Sequence, residues 1–499
     1  MSFTLHPYQH AGIDAIRQAM RAGHRRILAV CPVGGGKTVV FSSILAATAA
    51  KGGTGLVLVH REELLDQASD KLTRWGVPHG VIKAGRKADS RWPVQVASVQ
   101  SLLRRTMPPA QLVVIDEAHR TMATSYRVLL DRLPHARILG FTATPYRTDG
   151  RGLGDVFTEL VEIATPSQLL ELGILVPPRV FAPSAPDLAG VRTTAGDYNQ
   201  KDLVLRVDTP RLIGSVAEHW GRLVRGRLAV AFAASIEHSR HLVSALQGVG
   251  ARAAHLDAQT DPDVRRATLE QLARGEIEVI SNVGLITEGW DLPQLGAVIV
   301  ARPTQSASLW IQMCGRGARA HEGKTDYLLV DHAGNVQRHG FPDDDRLHSL
   351  ETATRRLRPV PSLRTCSLCF MVVPASVATC PDCQQPLAVP QERERTPESV
   401  SGELVELQDR PQRPPSPSVQ QRQLDYLRWR AEAWINGWKP GYASHRYHEK
   451  YGIWPVKMIT GAWDEARALE LVAEFDLIPR RVQLGRLREA RMPSGEALP

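Results

Sequence analysis

Residues 112–119 read Leu-Val-Val-Ile-Asp-Glu-Ala-His, and upstream of them residues 31–38 read Cys-Pro-Val-Gly-Gly-Gly-Lys-Thr. Leu112–Ile115 is a short apolar run of the kind that forms a strand buried on both faces, and Asp116 and Glu117 follow at its carboxyl end. The glycines lie between a strand pattern, Arg26–Val30, and a helix pattern, Lys37–Ala50. Gly34, Gly35 and Gly36 let the backbone turn tightly enough for its N–H groups to face phosphates. Lys37 adds a point charge near the β- and γ-phosphates, and Thr38 offers a hydroxyl to Mg²⁺. The helix that starts there contributes its positive end. Asp116 would then hold Mg²⁺, while Glu117 would orient and deprotonate the attacking water. Each stretch has an ordinary alternative: a glycine turn, or an acidic helix start favoured by the dipole. In this order and setting they point to ATP hydrolysis.

The surrounding pattern fits such a site. Further strands are expected at Gly55–Val59, Val94–Ala97, Leu112–Ile115 and Arg137–Phe141, with a helix over Glu62–Trp75. Strands alternating with helices make a parallel sheet covered on both faces, and ligands bind beyond the carboxyl ends of its strands. Cys31, His60, Ser98, Asp116 and Thr142 all fall there. His119 is read as a relay between the nucleotide and the second lobe.

The alternation then repeats. Strands are expected at Leu228–Phe232, Arg252–Leu256, Glu278–Ser281, Ala297–Val300 and Tyr327–Val330, with helices at Ile236–Gln247 and Pro262–Arg274. The fold class is thus α/β, with two parallel-sheet lobes. Lobe 1 is placed at 1–180 and lobe 2 at 205–345. The Pro-, Ala- and Gly-rich connector between them, 181–204, is expected to be mobile. Phe341–Arg346 is read as an acidic loop. Residues 360–390 hold four cysteines, 391–421 read as a polar, proline-rich linker, and 422–487 as a small α-helical module.

A chain of 499 residues is too long for one core, and 43% hydrophobic against 23% charged residues is ordinary for a globular protein. The net charge of +9 suits a polyanionic partner without specifying one. Met1-Ser2-Phe3-Thr4 lacks a basic start followed by an apolar stretch, and no apolar run approaches the ~20 residues that span a bilayer. A cytoplasmic protein without membrane contact is the expectation.

Several motifs resemble those of superfamily 2 helicases. Asp116-Glu117-Ala118-His119, a DEAH box, and Thr142-Ala143-Thr144-Pro145 look like motifs II and III. Leu5-His6-Pro7-Tyr8-Gln9 resembles the motif in which a glutamine, here Gln9, reads adenine. Val59-His60-Arg61-Glu62-Glu63-Leu64 and Ser98-Val99-Gln100-Ser101-Leu102 resemble motifs Ia and Ib. Asn282–Pro293, with Thr287, Glu288, Gly289 and Asp291, resembles motif V, and Gln312–Arg319 resembles motif VI. The resemblance implies two RecA-like lobes, ATP and Mg²⁺. It gives Gln312, Arg316 and Arg319 catalytic roles beside Lys37, Asp116 and Glu117, and Gly289 and Asp291 contacts to the cofactor. It makes Arg61, Ser98, Gln100, Thr142, Thr144 and Thr287 nucleic-acid contacts. Arginine fingers of this kind contribute roughly 10³–10⁵ in rate. Phe232–His238, Arg302–Leu309 and Gly323–Asn335 resemble the bacterial RadD-like group, relatives of XPB; the tail from Gly437 resembles those of phage and prophage helicases. A monomer acting on single-stranded or branched duplex DNA, with single-strand-binding or other repair proteins as partners, is what this implies.

Cys366-x-x-Cys369 and Cys380-x-x-Cys383 have the spacing of paired zinc knuckles. Four thiolates suit a closed tetrahedral Zn²⁺ site with a structural role. In the C-terminal module, Tyr426, Arg430 and Trp434 share a helical stripe, and Gly437 reads as a helix stop. Its tryptophans are expected to be core, because buried aromatics dominate small cores. Arg428, Lys439, Arg446 and Lys450 could track a phosphate backbone. An RNA helicase or remodeller on the same engine, and a zinc-bearing DNA adaptor with weak ATPase, are the alternatives.

Overall fold

The computed structural model describes residues 4–351, 362–387, 418–451, 455 and 465–475, apart from 61, 86–88, 90, 122–123, 146–151, 195, 288–289 and 440. It divides into two compact units, Met1–Glu392 and Arg393–Pro499.

The first unit contains two α/β lobes. Lobe 1 is a seven-stranded sheet of β1 (Arg26–Val30), β2 (Gly55–Val59), β3 (His79–Ile82), β4 (Val94–Ser98), β5 (Leu112–Ile115), β6 (Arg137–Thr142) and β7 (Glu159–Glu162), in the order β3-β4-β2-β5-β6-β1-β7. All pairings are parallel. β2, β4 and β5 are buried at every position, as expected of strands covered on both faces. Three helices matter for the site: α1 (Pro7–Arg21), α2 (Lys37–Ala50) and α3 (Glu62–Arg74). α2 is apolar nearly all round and packs Val40, Phe41 and Leu45 into one core layer; Phe41 meets Phe141 of β6 with ring centroids 5.6 Å apart. Such a pair contributes ~0.5–1.5 kcal/mol beyond its buried area.

Lobe 2 is a six-stranded sheet. Its strands are β8 (Pro178–Phe181), β11 (Ala229–Phe232), β12 (Ala253–Leu256), β13 (Val279–Asn282), β14 (Ala297–Val300) and β15 (Tyr327–Asp331), in the order β12-β13-β11-β14-β15-β8. β8 belongs to this sheet, pairing Tyr327↔Pro178 through Val330↔Phe181. Lobe 2 therefore begins before residue 178, not at 205, and the placement of 178–180 in lobe 1 is corrected.

The connector is likewise built into lobe 2. It forms a hairpin of β9 (Thr193–Thr194) and β10 (Asp197–Tyr198). Asp197 accepts hydrogen bonds from Thr304 Oγ1 (2.8 Å) and Gln305 N (2.7 Å), and Leu188, Val191 and Tyr198 pack on Leu203, Val207 and Ala234. The expectation of mobility came from composition alone and is corrected by these contacts.

The acidic loop returns from lobe 2 to lobe 1. Asp345 accepts from Ser167 N (3.1 Å), Leu350 O accepts from Gly154 N (2.8 Å), and Leu350 packs on the lobe 1 core. The cysteine segment forms a two-stranded ribbon, β16 (Leu363–Thr365) with β17 (Val372–Pro374), docked on β8. Ala182 N donates to Phe370 O (2.9 Å), Phe181 pairs Met371, and Val372 joins the lobe 2 core.

The second unit contains helices Val419–Ile435, Gly441–Tyr451 and Glu465–Glu474. Gly437, at φ +67°, ends the first as expected. Tyr426, Ala443 and Tyr447 form a buried cluster here, whereas Trp429 is half-buried and Trp438 is exposed against Tyr442. Among the described residues the buried aromatics here are thus tyrosines, with Trp429 packed against them and Trp434 half-buried: the hydroxyl of Tyr426 meets Ser444 (3.3 Å), and Tyr451 donates to Asp425. Trp454 and Trp463, and nearly all of the 391–421 linker, lie outside the described residues. Among the described residues no helix is long and apolar enough to cross a membrane.

Candidate nucleotide site

The glycine loop leaves β1 at Val30, held by Cys31 N donating to Thr142 O (3.0 Å). Gly34 and Gly36 have φ of +87° and +80°, a region that strains any residue with a Cβ. The loop is also enclosed. A Cβ at Gly36 would lie 2.5 Å from Gln9 Nε2, and one at Gly34 would lie 2.8 Å from Leu175 Cδ2 and 3.4 Å from Arg319 Cγ. Gln9 thus borders one side of the loop, positioned by the capping box of α1 in which His6 N donates to its Oε1 (3.0 Å). Tyr8, two residues into that helix, donates its hydroxyl to Gly35 O (3.0 Å).

Asp116 and Glu117 follow β5 as expected. Burial, reinforced by the Glu117 carboxylate, raises the Asp116 carboxyl to about 6; Lys37 opposes the shift. A carboxyl so placed favours a cation partner, which fits the chemistry of a Mg²⁺ ligand beside Thr38. Lys37 Nζ stands 3.9 Å from Glu117 Oε1. Glu117 is buried and takes φ +51°, a left-handed backbone unusual outside glycine. This kink turns its carboxylate out of the strand direction, and such strain concentrates at functional sites.

A chain of close polar contacts leads from this carboxylate to the other lobe. His119 Nδ1 lies 3.5 Å from Glu117 Oε2 and 3.4 Å from Thr142 Oγ1. Thr142 Oγ1 donates to Thr144 O (2.9 Å), and Thr144 Oγ1 meets Ser308 Oγ of lobe 2 at 2.6 Å. His119, read as a relay, thus stands between Glu117 and Thr142. Ser308 was quoted in the sequence as part of a family likeness, but nothing local marked it as the partner of Thr144.

From lobe 2, Arg319 arrives beside Gly34 and pairs with Asp291. Arg316 is buried and donates from Nη1 to Trp290 O (2.6 Å). Gln312 is buried with its Nε2 unpartnered. Lys324 fixes the loop that carries Arg319, donating to Pro293 O (2.9 Å), Gly317 O (2.7 Å) and Arg319 O (2.8 Å). Neither Lys324 nor Lys71, whose Nζ donates to Thr38 Oγ1 (3.4 Å), was singled out for the site from sequence; surface lysines and site lysines look alike there. Gly289 lies outside the described residues.

The expected nucleic-acid contacts are mostly committed elsewhere. Ser98 is buried and caps the helix at Val99–Leu103, Thr142 and Thr144 are buried in the relay, and Thr287 Oγ1 donates to Gly284 O (3.1 Å). Gln100 is exposed, and Arg61 lies outside the described residues. In this conformation the Thr144 hydroxyl bonds lobe 2 and the Thr142 hydroxyl bonds the Thr144 carbonyl, and burial leaves neither a solvent-facing surface.

The four cysteine sulfurs lie within 4.8 Å of one another, with Cys366–Cys383 at 3.6 Å and Cys369–Cys380 at 3.5 Å. A tetrahedron with Zn–S of about 2.3 Å has edges of about 3.8 Å, so the set fits that ion. The knuckles also close alike: Phe370 N donates to Cys366 O (2.9 Å) and Gln384 N to Cys380 O (3.0 Å), with φ of +67° and +59° at Phe370 and Gln384.

Known families match both lobes. Residues 2–147 match the model for the res subunit of type III restriction enzymes, and residues 215–321 match the helicase conserved C-terminal domain. A 51.5 kDa protein of a Lactococcus phage is 29% identical over 379 residues, covering 75% of this chain and 81% of the phage protein. A protein named as an ATP-dependent helicase, IRC3 of Saccharomyces cerevisiae, is 31% identical over 356 residues, covering 66% of this chain and 51% of the yeast protein. The chain thus spans about half the yeast relative's length. Among solved structures, a fragment assigned to the HsdR subunit of a type I restriction enzyme from Vibrio vulnificus YJ016 superposes with a TM-score of 0.55. Its identity is 23%, over 67% of this chain and 65% of the fragment, and it attests the two-lobed fold.

Proposed function

We propose that this chain, an ATP-dependent helicase of superfamily 2, couples Mg-ATP hydrolysis to movement on, or unwinding of, DNA. One observation carries the coupling. The catalytic carboxylate of lobe 1 and the arginine of lobe 2 face the same loop, and a chain of side chains joins the lobes behind it.

Lys37 and the loop N–H groups hold the β- and γ-phosphates. Glu117 orients the attacking water and takes its proton, and Arg319 places a cation where charge accumulates on the terminal phosphate. Thr38 and Asp116 hold Mg²⁺, which when bound supplies a Lewis acid to the phosphate oxygens. When the triphosphate is cleaved, Arg319 loses the charge it faced. The relay from Glu117 through His119, Thr142 and Thr144 then links that change to Ser308 and the position of lobe 2.

DNA as the track is supported by the restriction-enzyme match of lobe 1, and the basic balance of the chain is compatible with it. The finer kinship to the RadD-like and XPB group, and a place in repair, recombination or replication, rest on the motif likenesses. The ribbon cysteines hold a structural Zn²⁺, a reading supported by their distances and paired turns.

ATPase activity measured with single-stranded DNA, forked and blunt duplex, and RNA tests the proposal. Stimulation by DNA above RNA is expected. Preferential stimulation by RNA would replace the substrate, and no stimulation by any polynucleotide would refute the coupling.

A further inference from the structure

Lys71 is the feature that the hydrolytic mechanism leaves unexplained. It sits in the last turn of α3, and its half-buried side chain crosses to α2, where Nζ donates to Thr38 Oγ1 at 3.4 Å. Thr38 is the hydroxyl assigned to the metal. The charges that act on the ammonium are those of the site itself: Asp291 and Asp116 attract it, while Arg319 and Lys37 repel it. An ordinary helix lysine extends into water, because its ammonium is strongly hydrated. This one points the other way, toward the Thr38 hydroxyl and into the field of the half-buried Asp116 carboxyl, on which Lys37 acts as well.

We propose that Lys71 is a positioning residue whose ammonium competes with the magnesium ion for the Thr38 hydroxyl, holding that hydroxyl until metal and nucleotide displace the lysine. The proposal rests on the nucleotide site described above. Its consequence is competition: Thr38 cannot serve the ammonium and the metal at once, so Lys71 sets the Mg²⁺ concentration at which nucleotide is held productively. The metal in turn must move the side chain that ties the end of α3 to α2.

The test uses the full chain and a fluorescent ADP analogue, titrated with Mg²⁺, for the wild type, Lys71→Met, Lys71→Arg and Lys37→Ala. Exclusion between two occupants of one site is a coupling of roughly fivefold or more. Lys71→Met is expected to lower the half-saturating Mg²⁺ by about that factor, and Lys71→Arg, which keeps the cation, is expected to stay near the wild type. An unchanged Mg²⁺ midpoint in Lys71→Met, with its melting temperature near the wild type, overturns the proposal. So does weaker nucleotide binding at saturating Mg²⁺ with an unchanged midpoint, which would make Lys71 a phosphate ligand. If Lys71→Met does not fold, Lys71→Gln, which also removes the cation, takes its place: a lowered Mg²⁺ midpoint supports competition and an unchanged one overturns it. Lys37→Ala separates the two readings: unimpaired ADP binding there would remove the nucleotide site itself.

Discussion

Replacing Thr144 by Val removes one hydroxyl from the bond that joins the lobes and keeps the side-chain volume. Thr144 is fully buried and Ser308 nearly so, and their oxygens are 2.6 Å apart, so water cannot take over for the missing partner. A buried polar group left unpaired costs ~1–3 kcal/mol. In an opened arrangement both hydroxyls would be hydrated, so the cost falls on closure rather than on the folding of either lobe. At about 1.4 kcal/mol per decade, the closed form is disfavoured roughly 5- to 150-fold. Ser308→Ala should cost a similar amount, while the double variant leaves no orphan and should cost less than the sum, with a coupling of ~1 kcal/mol. The assay is polynucleotide-stimulated ATPase, read as kcat/KM, beside thermal melting. Additive losses in the double variant, or melting temperatures that fall in proportion to activity, would refute the assignment of this bond to closure.

Glu117→Gln should lower ATPase by ~10²–10⁴ while nucleotide binding persists, as removal of a general base requires; binding lost along with turnover would argue for a structural role. Removal of the proposed Zn²⁺ by a chelator should melt the ribbon and destabilise lobe 2, since Met371 and Val372 pack into its cores; unchanged melting with all four thiols free to react would contradict this. Gln384→Gly should stabilise the loaded ribbon by up to ~1 kcal/mol, because φ is +59° there. Burial raises the Asp343 carboxyl to about 6, against an ordinary 3.8. The folded chain therefore holds a proton that the unfolded chain has lost, and stability falls as pH rises from about 4 to about 6. Asp343→Asn should be more stable than the wild type at neutral pH by about 1 kcal/mol, discounted for partial exposure, and the difference should close near pH 4. A difference independent of pH would sink that reading.

Local pattern determined a large part of this protein. A phosphate loop needs glycines at Gly34 and Gly36 because two positive φ angles and close neighbours exclude a Cβ, and that need is visible in three adjacent letters. The central strand runs were legible because parallel strands buried on both faces are continuously apolar, whereas β3 and β7 at the edges of lobe 1 are only partly buried and were not read as strands. The order of motifs placed Lys37 and Asp116 beyond the carboxyl ends of β1 and β5, two parallel strands of one sheet with only β6 between them, so their meeting followed from topology. The cysteine spacing likewise anticipated that four sulfurs would come within 4.8 Å of one another.

Other features were decided only in three dimensions. β8 reads like any short strand, and its membership of lobe 2 depends on the free edge of β15. The connector's small and proline-rich composition implied motion, but Asp197 and Tyr198 found partners more than 100 residues away. Thr144 met Ser308, and Lys71 turned inward to Thr38, for the same reason: each pairing follows from how whole elements bury their apolar faces, and polar groups carried along must then be satisfied by whatever lies opposite. Sequence periodicity reports which face of an element is buried; what that face is buried against is settled by the packing of the complete chain.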